Sequence, residues 1–209
     1  MVFVTLLILI RHGQSMTNKE SFLSDSEDKY PLTDLGVSQA ETTAKELKRN
    51  FKVSKIYSST TYRAKQTAGI LAKELGMDIV LDKRLKERGW GLIEGKPALL
   101  GAWRFNMSEE EAKSVENWES IKKRVASFAS DVSKEKGVIV GVSHVDPIAA
   151  LAVESFGINA DELSVYALVA PFASMNFFGY ESKSYRVLAT GLPKVPQQVL
   201  TRAMPYIKQ

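Results

Sequence analysis

Near the start of the chain, Val2 to Ile10 form an almost unbroken apolar run that ends abruptly in Arg11, His12 and Gly13. A run of this kind reads as a strand buried on both faces, the interior of a parallel sheet that helices cover on each side. A secretory signal or a membrane span would need different flanks. No Lys or Arg precedes the run, no small-residue cleavage site follows it, and it stops well short of the ~20 residues that a span requires. The sequence therefore predicts a cytoplasmic protein with no membrane association.

The rest of the chain repeats the same alternation. Ala40, Ala44, Leu47 and Phe51 mark a helix over Leu35 to Phe51, with Thr33 or Asp34 as its N-cap. Lys55 to Ser58 reads as a strand, Tyr62 to Leu75 as a helix stopped by Gly76, and Asp78 to Leu81 as the next strand. Trp118, Ile121, Val125, Phe128 and Val132 fall on one face of a long helix. Val138 to Val142 is a second all-apolar strand, and Ile148 to Phe156 a helix ended by Gly157. The pattern predicts an α/β fold, a three-layer α/β/α sandwich around a mostly parallel central sheet. Ser174 to Tyr180 and Tyr185 to Ala189 read as a closing hairpin. Periodicity weakens between Lys83 and Asn106, where one short helix is expected around Ala98 to Phe105. Residues 83–118 are accordingly expected to form a small helical and loop lobe over the active-site cleft. Residues 191–209 read as a basic C-terminal tail with a short helix at Gln198 to Met204, all within one domain spanning 1–209.

Composition removes several kinds of chemistry. Cys is absent, which excludes disulfides, thiolate metal sites and a Cys nucleophile. His12 and His144 are the only histidines, too few for a typical catalytic zinc site, so no metal is expected. The formal charge of +4 belongs to the end of the chain, because no acid follows Glu181 whereas five Lys and Arg do. The body carries no basic stripe interleaved with aromatics, and no nucleic-acid partner is expected.

In open parallel sheets, chemistry gathers at the carboxyl ends of the strands. Both histidines are placed there: one apolar strand delivers Arg11-His12-Gly13, the other Ser143-His144. Asp146 reads as the N-cap of the following helix, with Pro147 at its first position. Free amides at a helix start suit a phosphate, and the Val145 N–H lies within reach of one. Two imidazoles, a guanidinium and a helix N-terminus make a pocket for a dianion with a nucleophile inside it. Attack by imidazole on phosphorus would give a phosphohistidine without a metal. A serine hydrolase built on Gly141-Val142-Ser143-His144-Val145 is ruled out, because the elbow motif needs Gly where Val145 stands.

Leu9-Ile10-Arg11-His12-Gly13-Gln14-Ser15 with Asn18 resembles the RHG signature of the histidine phosphatase superfamily, also called the phosphoglycerate mutase-like family. It is joined in family order by Pro31-Leu32-Thr33-Asp34-Leu35-Gly36 with Gln39-Ala40, Ser58-Ser59, Arg63-Ala64-Lys65-Gln66-Thr67-Ala68, Leu85-Lys86-Glu87-Arg88-Gly89-Trp90-Gly91 with Glu94-Gly95, and Val142-Ser143-His144. The resemblance implies that His12 is the nucleophile and that Arg11, Arg63 and His144 neutralise the phosphoryl oxygens. It also implies that Asn18 is an accessory contact and Glu87 the proton donor. Glu94 competes for the last role, although its Glu-Gly pairing suits a structural turn better. Glu87 sits in a cationic stretch that by simple electrostatics should keep it ionised, with an incoming phosphate opposing that. The family commonly places small residues after the second His, whereas Val145-Asp146-Pro147 stand here, and Asp146 adds a negative charge unless it caps the helix.

These residues imply a metal-independent phosphomonoester hydrolase, a phosphatase acting through a phosphohistidine on a small phosphorylated metabolite. The short Lys96 to Met107 lobe and Glu94-Gly95 resemble the family's phosphatases more than its cofactor-dependent mutases, a resemblance that implies hydrolysis. Glu87-Arg88 and Lys96 echo the mutases, so phosphoglycerate mutase is the alternative, and only then would 2,3-bisphosphoglycerate be a cofactor. A silent phosphate-binding module is the second alternative, but all four charged pocket positions are filled. A homodimer is compatible with the sequence. Trp90, Trp103, Phe105 and Trp118 are candidates for an apolar leaving-group pocket.

Overall fold

The computed structural model describes residues 5–98, 107–157, 171–181 and 184–195. Strand β1 (Thr5–Arg11) is followed by a short helix α1 (Met16–Lys19) and a long one, α2 (Asp34–Asn50). Next come β2 (Val53–Ser58), α3 (Tyr62–Leu75), β3 (Ile79–Leu81) and two 3₁₀ turns, Lys83–Leu85 and Gly91–Ile93. Helices α4 (Glu109–Ser114) and α5 (Trp118–Val132) precede β4 (Gly137–Ser143), α6 (Val145–Phe156) and the pair β5 (Met175–Glu181) and β6 (Ser184–Leu192).

The six strands form a single mixed sheet in the order β3-β2-β4-β1-β5-β6. The β1–β4, β2–β4 and β2–β3 pairs are parallel, whereas β5 runs antiparallel to β1 and β6 to β5. The apolar run of β1 is buried from Leu6 to Ile10, and strand geometry sends alternate side chains to opposite faces. Leu6, Ile8 and Ile10 pack with Ala40, Ala44, Leu47 and Phe51 of α2 and with Ala64, Ala68 and Leu71 of α3. Leu7 and Leu9 pack instead with Ile121, Val125, Phe128 and Val132 of α5 and with Ile148 and Leu151 of α6. Helices therefore cover both faces, which is the three-layer α/β fold that the alternation predicts.

Helix boundaries follow their caps. The Thr33 hydroxyl accepts from the Gly36 amide at 3.1 Å and starts α2, while Gly76 in the left-handed region (φ 68°) ends α3. α1 lies in a stretch that reads as polar loop, and α4 within the expected lobe. Each starts at a serine whose capping box pairs it with the residue three ahead, Ser15 with Asn18 and Ser108 with Glu111. Strand β6 continues to Leu192, so the expected tail overlaps its last residues. The short helices expected at Ala98 to Phe105 and Gln198 to Met204 lie outside the described residues, apart from Ala98. Among the described residues, no helix is long and apolar enough to cross a membrane.

One consequence of the strand order governs the site. β1 and β4 are adjacent and parallel, with Arg11 opposite Ser143 in the register, so the next residue on each strand, His12 and His144, emerges beside the other.

Candidate active site

The two imidazoles lie with ring centroids 4.9 Å apart, both fully or almost fully buried. Their tautomers are set by partners that can only donate or only accept. His12 Nδ1 is 2.7 Å from the Gly13 carbonyl and must donate to it, while His12 Nε2 accepts from Arg63 Nε at 3.1 Å. The lone pair of His12 therefore sits on Nε2, directed at the Arg63 guanidinium. His144 Nδ1 accepts from Arg63 Nη2 at 3.2 Å, and its Nε2–H donates to the hydroxyls of Ser59 (2.9 Å) and Thr61 (3.1 Å). Burial, Arg63 and then Arg11 push the His12 pKa well below its ordinary value. Burial and Arg63 do the same to His144. Both rings are neutral at pH 7, the form in which an imidazole is a nucleophile.

Arg63, on the first turn of α3, spans both rings and also donates from Nη2 to the Ser24 carbonyl at 2.8 Å, while its buried Nη1 has no hydrogen-bond partner among the described residues. Burial lowers its pKa and Glu87 works against that. Arg11 lies with its guanidinium carbon 4.1 Å from the centre of the Phe172 ring, and burial lowers its pKa to about 10. Both arginines remain cations. The RHG loop is held closely enough to leave no room for side chains: a Cβ on Gly13 would lie 2.4 Å from the Gly36 carbonyl oxygen, and one on Gly36 only 2.0 Å from that of Gln14. The Gly13 amide donates to Thr67 Oγ1, the Gln14 amide to Gln39 Oε1 and the Leu32 amide to Gln66 Oε1, so several polar motif residues fasten loops to helices.

Glu87 joins the group from the loop after the first 3₁₀ turn, its Oε2 3.9 Å from His144 Nδ1 and its Oε1 accepting from the Arg88 amide at 3.0 Å. Electrostatics of the local sequence would keep this carboxyl ionised, and the structure overturns that expectation. Burial first and the charge of Asp146 second push its pKa up to about 7, outweighing Arg63 and Arg11. The neighbouring cations that suggested ionisation are engaged elsewhere. Lys86 pairs with Glu27 and Asp25, and Arg88 with Asp146.

One expectation needs correction. Asp146 is not the N-cap of α6; His144 occupies that position and Val145 begins the helix, putting Asp146 and Pro147 in its first turn. The Asp146 carboxylate is buried and accepts from Arg88 Nε at 2.7 Å, because β4 ends beside the loop that carries Arg88. Trp90 and Trp118 flank that guanidinium, at 5.8 and 6.0 Å, while Trp103 and Phe105 lie outside the described residues. Glu94 accepts from the Ser24 hydroxyl and the Asp25 amide and holds the segment whose carbonyl anchors Arg63, as expected of a structural turn. Asn18 Oδ1 accepts from the Ser15 amide and hydroxyl, so it builds the loop next to His12. The Val145 N–H lies in the first turn of α6, where helix amides have no acceptor within the helix.

Sequence reasoning assigned no role to several supporting residues. Ser59 and Thr61 orient His144, and their signal was available in the run Ser58-Ser59-Thr60-Thr61 that ends β2. Arg124 of α5 donates to the carbonyls of Arg84, Lys86 and Glu87 and pairs with Glu116. No local pattern marks it.

The profile of the histidine phosphatase superfamily (branch 1) matches residues 7–192. A 2,3-bisphosphoglycerate-dependent phosphoglycerate mutase of Thermoplasma acidophilum is 36% identical over 83% of this chain and 86% of its own. A Hydrogenobacter thermophilus protein provisionally named phosphoserine phosphatase 2 is 34% identical over 75% and 81% respectively. The fold is shared with a solved phosphoserine phosphatase of Entamoeba histolytica in complex with 3-phosphoglyceric acid, with a TM-score of 0.74 at 24% identity over 94% of this chain and all of that one. With two histidines converging at adjacent strand ends under one bridging arginine, and a profile match across nearly the whole chain, the protein belongs to the histidine phosphatase superfamily.

Proposed function

We propose that the protein is a phosphomonoester hydrolase that works through a phosphohistidine on His12 and acts on a small phosphorylated metabolite. The observation that carries this reading is the locked tautomer of His12, which presents an Nε2 lone pair beside the buried, unpartnered Nη1 of Arg63. In the first step His12 Nε2 forms a bond to phosphorus as the ester P–O bond breaks, and Glu87 gives its proton to the departing oxygen. Arg11, Arg63 and the Val145 amide hold the three phosphoryl oxygens, with Asn18 beside them, and His144 joins them as a donor when the incoming anion favours a second proton, taken from solvent, on its Nδ1. In the second step water attacks phosphorus, the Glu87 carboxylate takes its proton, and inorganic phosphate leaves as the His12 lone pair is restored.

Cationic side chains occupy the place of a metal in this scheme. Activity should survive exhaustive treatment with EDTA, measured as phosphate release; recovery of a chelated, inactive sample on adding magnesium or zinc would overturn the metal-independent reading.

The Thermoplasma relative favours a second reading, phosphoglycerate mutase, in which a sugar-acid hydroxyl replaces water as the acceptor and 2,3-bisphosphoglycerate would prime His12. Two cations that echo the mutases are engaged within the protein, Arg88 with Asp146 and Lys96 with Glu111, which supports hydrolysis. The deciding measurement is a phosphomonoester panel including 3-phosphoglycerate with and without its bisphosphate. Hydrolysis predicts one inorganic phosphate per substrate consumed. Conversion to 2-phosphoglycerate without phosphate release, dependent on the bisphosphate, would establish the mutase.

A further inference from the structure

We propose that Asp146 is a positioning residue for Glu87: by holding the Arg88 guanidinium it keeps that cation off the Glu87 carboxyl and ties the Glu87 loop to the helix after His144. The inference rests on the reading of Glu87 as proton donor.

The geometry is specific. Asp146 and Arg88 are both buried and joined at 2.7 Å, and Arg88 directly follows Glu87 in the chain. Arg88 Nη1 also donates to the Glu116 carbonyl at 3.2 Å, and the side chain runs between Trp90 and Trp118. The Ser143 hydroxyl donates to the Leu85 carbonyl at 2.8 Å, and Arg124 binds the Glu87 carbonyl at 3.2 Å. The proton donor is thus suspended between β4–α6 and α5 by ionic and hydrogen-bonded contacts, beside the apolar anchor of Leu85 in the core. A buried ion pair of this kind is a weak source of net stability, since desolvation offsets its attraction, so its presence beside a reacting carboxyl calls for another role.

The remaining groups facing Glu87 make the arrangement consequential. Arg63 from α3 and Arg11 from β1 both favour its carboxylate, His144 Nδ1 stands 3.9 Å away as a neutral ring, and Lys86 is drawn off by Asp25 and Glu27. A third guanidinium released next to Glu87 would add to Arg63 and Arg11 and favour an ionised carboxyl that cannot donate. Asp146 prevents this and adds its own negative charge. It also stands on the first turn of α6, where the helix dipole favours an acid.

The test is the pH dependence of kcat/KM for glycerol 2-phosphate, whose alkoxide leaving group needs a proton, with para-nitrophenyl phosphate as the insensitive control. D146N should move the alkaline limb down by about one pH unit, the size expected of one nearby charge in a partly screened site. The double variant R88M/D146N, which removes the released cation, should bring the limb most of the way back. A role confined to stability would lower rates without opposed movements of the limb. An unmoved limb in D146N, or a double variant displaced as far as the single, overturns the proposal. If D146N does not fold, R88M/D146L carries the test, since apolar replacement of a buried pair is often tolerated. Its untethered loop should lower the rate ratio of glycerol 2-phosphate to para-nitrophenyl phosphate by about 10-fold or more, and an unchanged ratio overturns the proposal. E87Q separates the two levels of inference. A limb that persists in E87Q defeats the reading of Glu87, whereas a limb lost in E87Q but indifferent to Asp146 defeats only the positioning role.

Discussion

His12→Ala should lower phosphatase turnover by on the order of 10⁴-fold or more, the largest effect expected of any single substitution here, and should abolish the covalent intermediate. The surroundings of the ring are the reason. The Gly13 carbonyl fixes the proton on Nδ1, Arg63 marks Nε2 as the acceptor, and burial between two guanidinium groups keeps the ring neutral. A neutral imidazole needs no deprotonation before attack, and its Nε2 lone pair has only to exchange the Arg63 Nε–H for phosphorus. Rapid quenching with labelled substrate should trap an acid-labile, base-stable phosphoramidate on the peptide containing His12. His144→Ala should behave differently. That ring is held by Ser59 and Thr61 at Nε2, and its Nδ1 accepts from Arg63, so its proposed role is to stabilise a phosphoryl oxygen once the bound anion favours a proton there. Loss of one such stabilising group costs about 10²- to 10³-fold in rate, so slow labelling of His12 should persist. Label on His144 would reverse the two assignments. Absence of both label and turnover across a broad phosphoester panel would favour a silent phosphate-binding module.

The parts of this molecule that were legible in its sequence are those whose signal is periodic or local. β1 and β4 announce themselves as apolar runs because both of their faces are buried, and α3 and α5 match the stripes of Ala64, Ala68 and Leu71 and of Ile121, Val125 and Phe128 to the residue. The pairing of His12 with His144 was legible for a topological reason, since parallel neighbouring strands deliver the residues at their carboxyl ends to one edge of the sheet. The features that could not be read depend on distant partners. Asp146 looks like a helix cap because a carboxylate before Pro147 usually is one, yet its partner Arg88 lies 58 residues away, and the buried pair overrides the local preference. Glu87 looks ionised because Lys83, Arg84, Lys86 and Arg88 surround it in sequence. In space three of those four side chains are drawn to other acids: Arg84 pairs with Asp82 and Asp131, Lys86 with Asp25 and Glu27, and Arg88 with Asp146. Charge counted along the chain overstated the field at the carboxyl, and desolvation, which has no signature in sequence, reversed the result.

That reversal sets up the second large effect, expected for Glu87→Gln. With a pKa pushed up to about 7 by burial and by Asp146, the carboxyl holds its proton through the acidic range, is half protonated near pH 7, and can deliver that proton to a leaving oxygen. Wild-type kcat/KM for alkyl phosphates should therefore fall as pH rises above about 7, as the acid form is lost. Gln cannot donate a proton to an alkoxide, so the variant should lose that alkaline limb and slow by about 10²- to 10⁴-fold on alkyl phosphates, while para-nitrophenyl phosphate, whose leaving group is stable as an anion, should be slowed far less. Equal slowing of both substrates would move proton donation to another group, with Glu94 first in line. The same protonation has a thermodynamic consequence of definite sign. Because the folded-state pKa lies above the ordinary value of 4.5, Glu87 favours folding fully below pH 4.5, and that contribution disappears as pH rises through about 7. Gln has no proton to lose, so urea unfolding should show the variant gaining on the wild type by roughly 3 kcal/mol between about pH 5 and about pH 8. A stability difference independent of pH would mean that Glu87 is ionised throughout, and an ionised carboxylate could not serve as the acid in the first step.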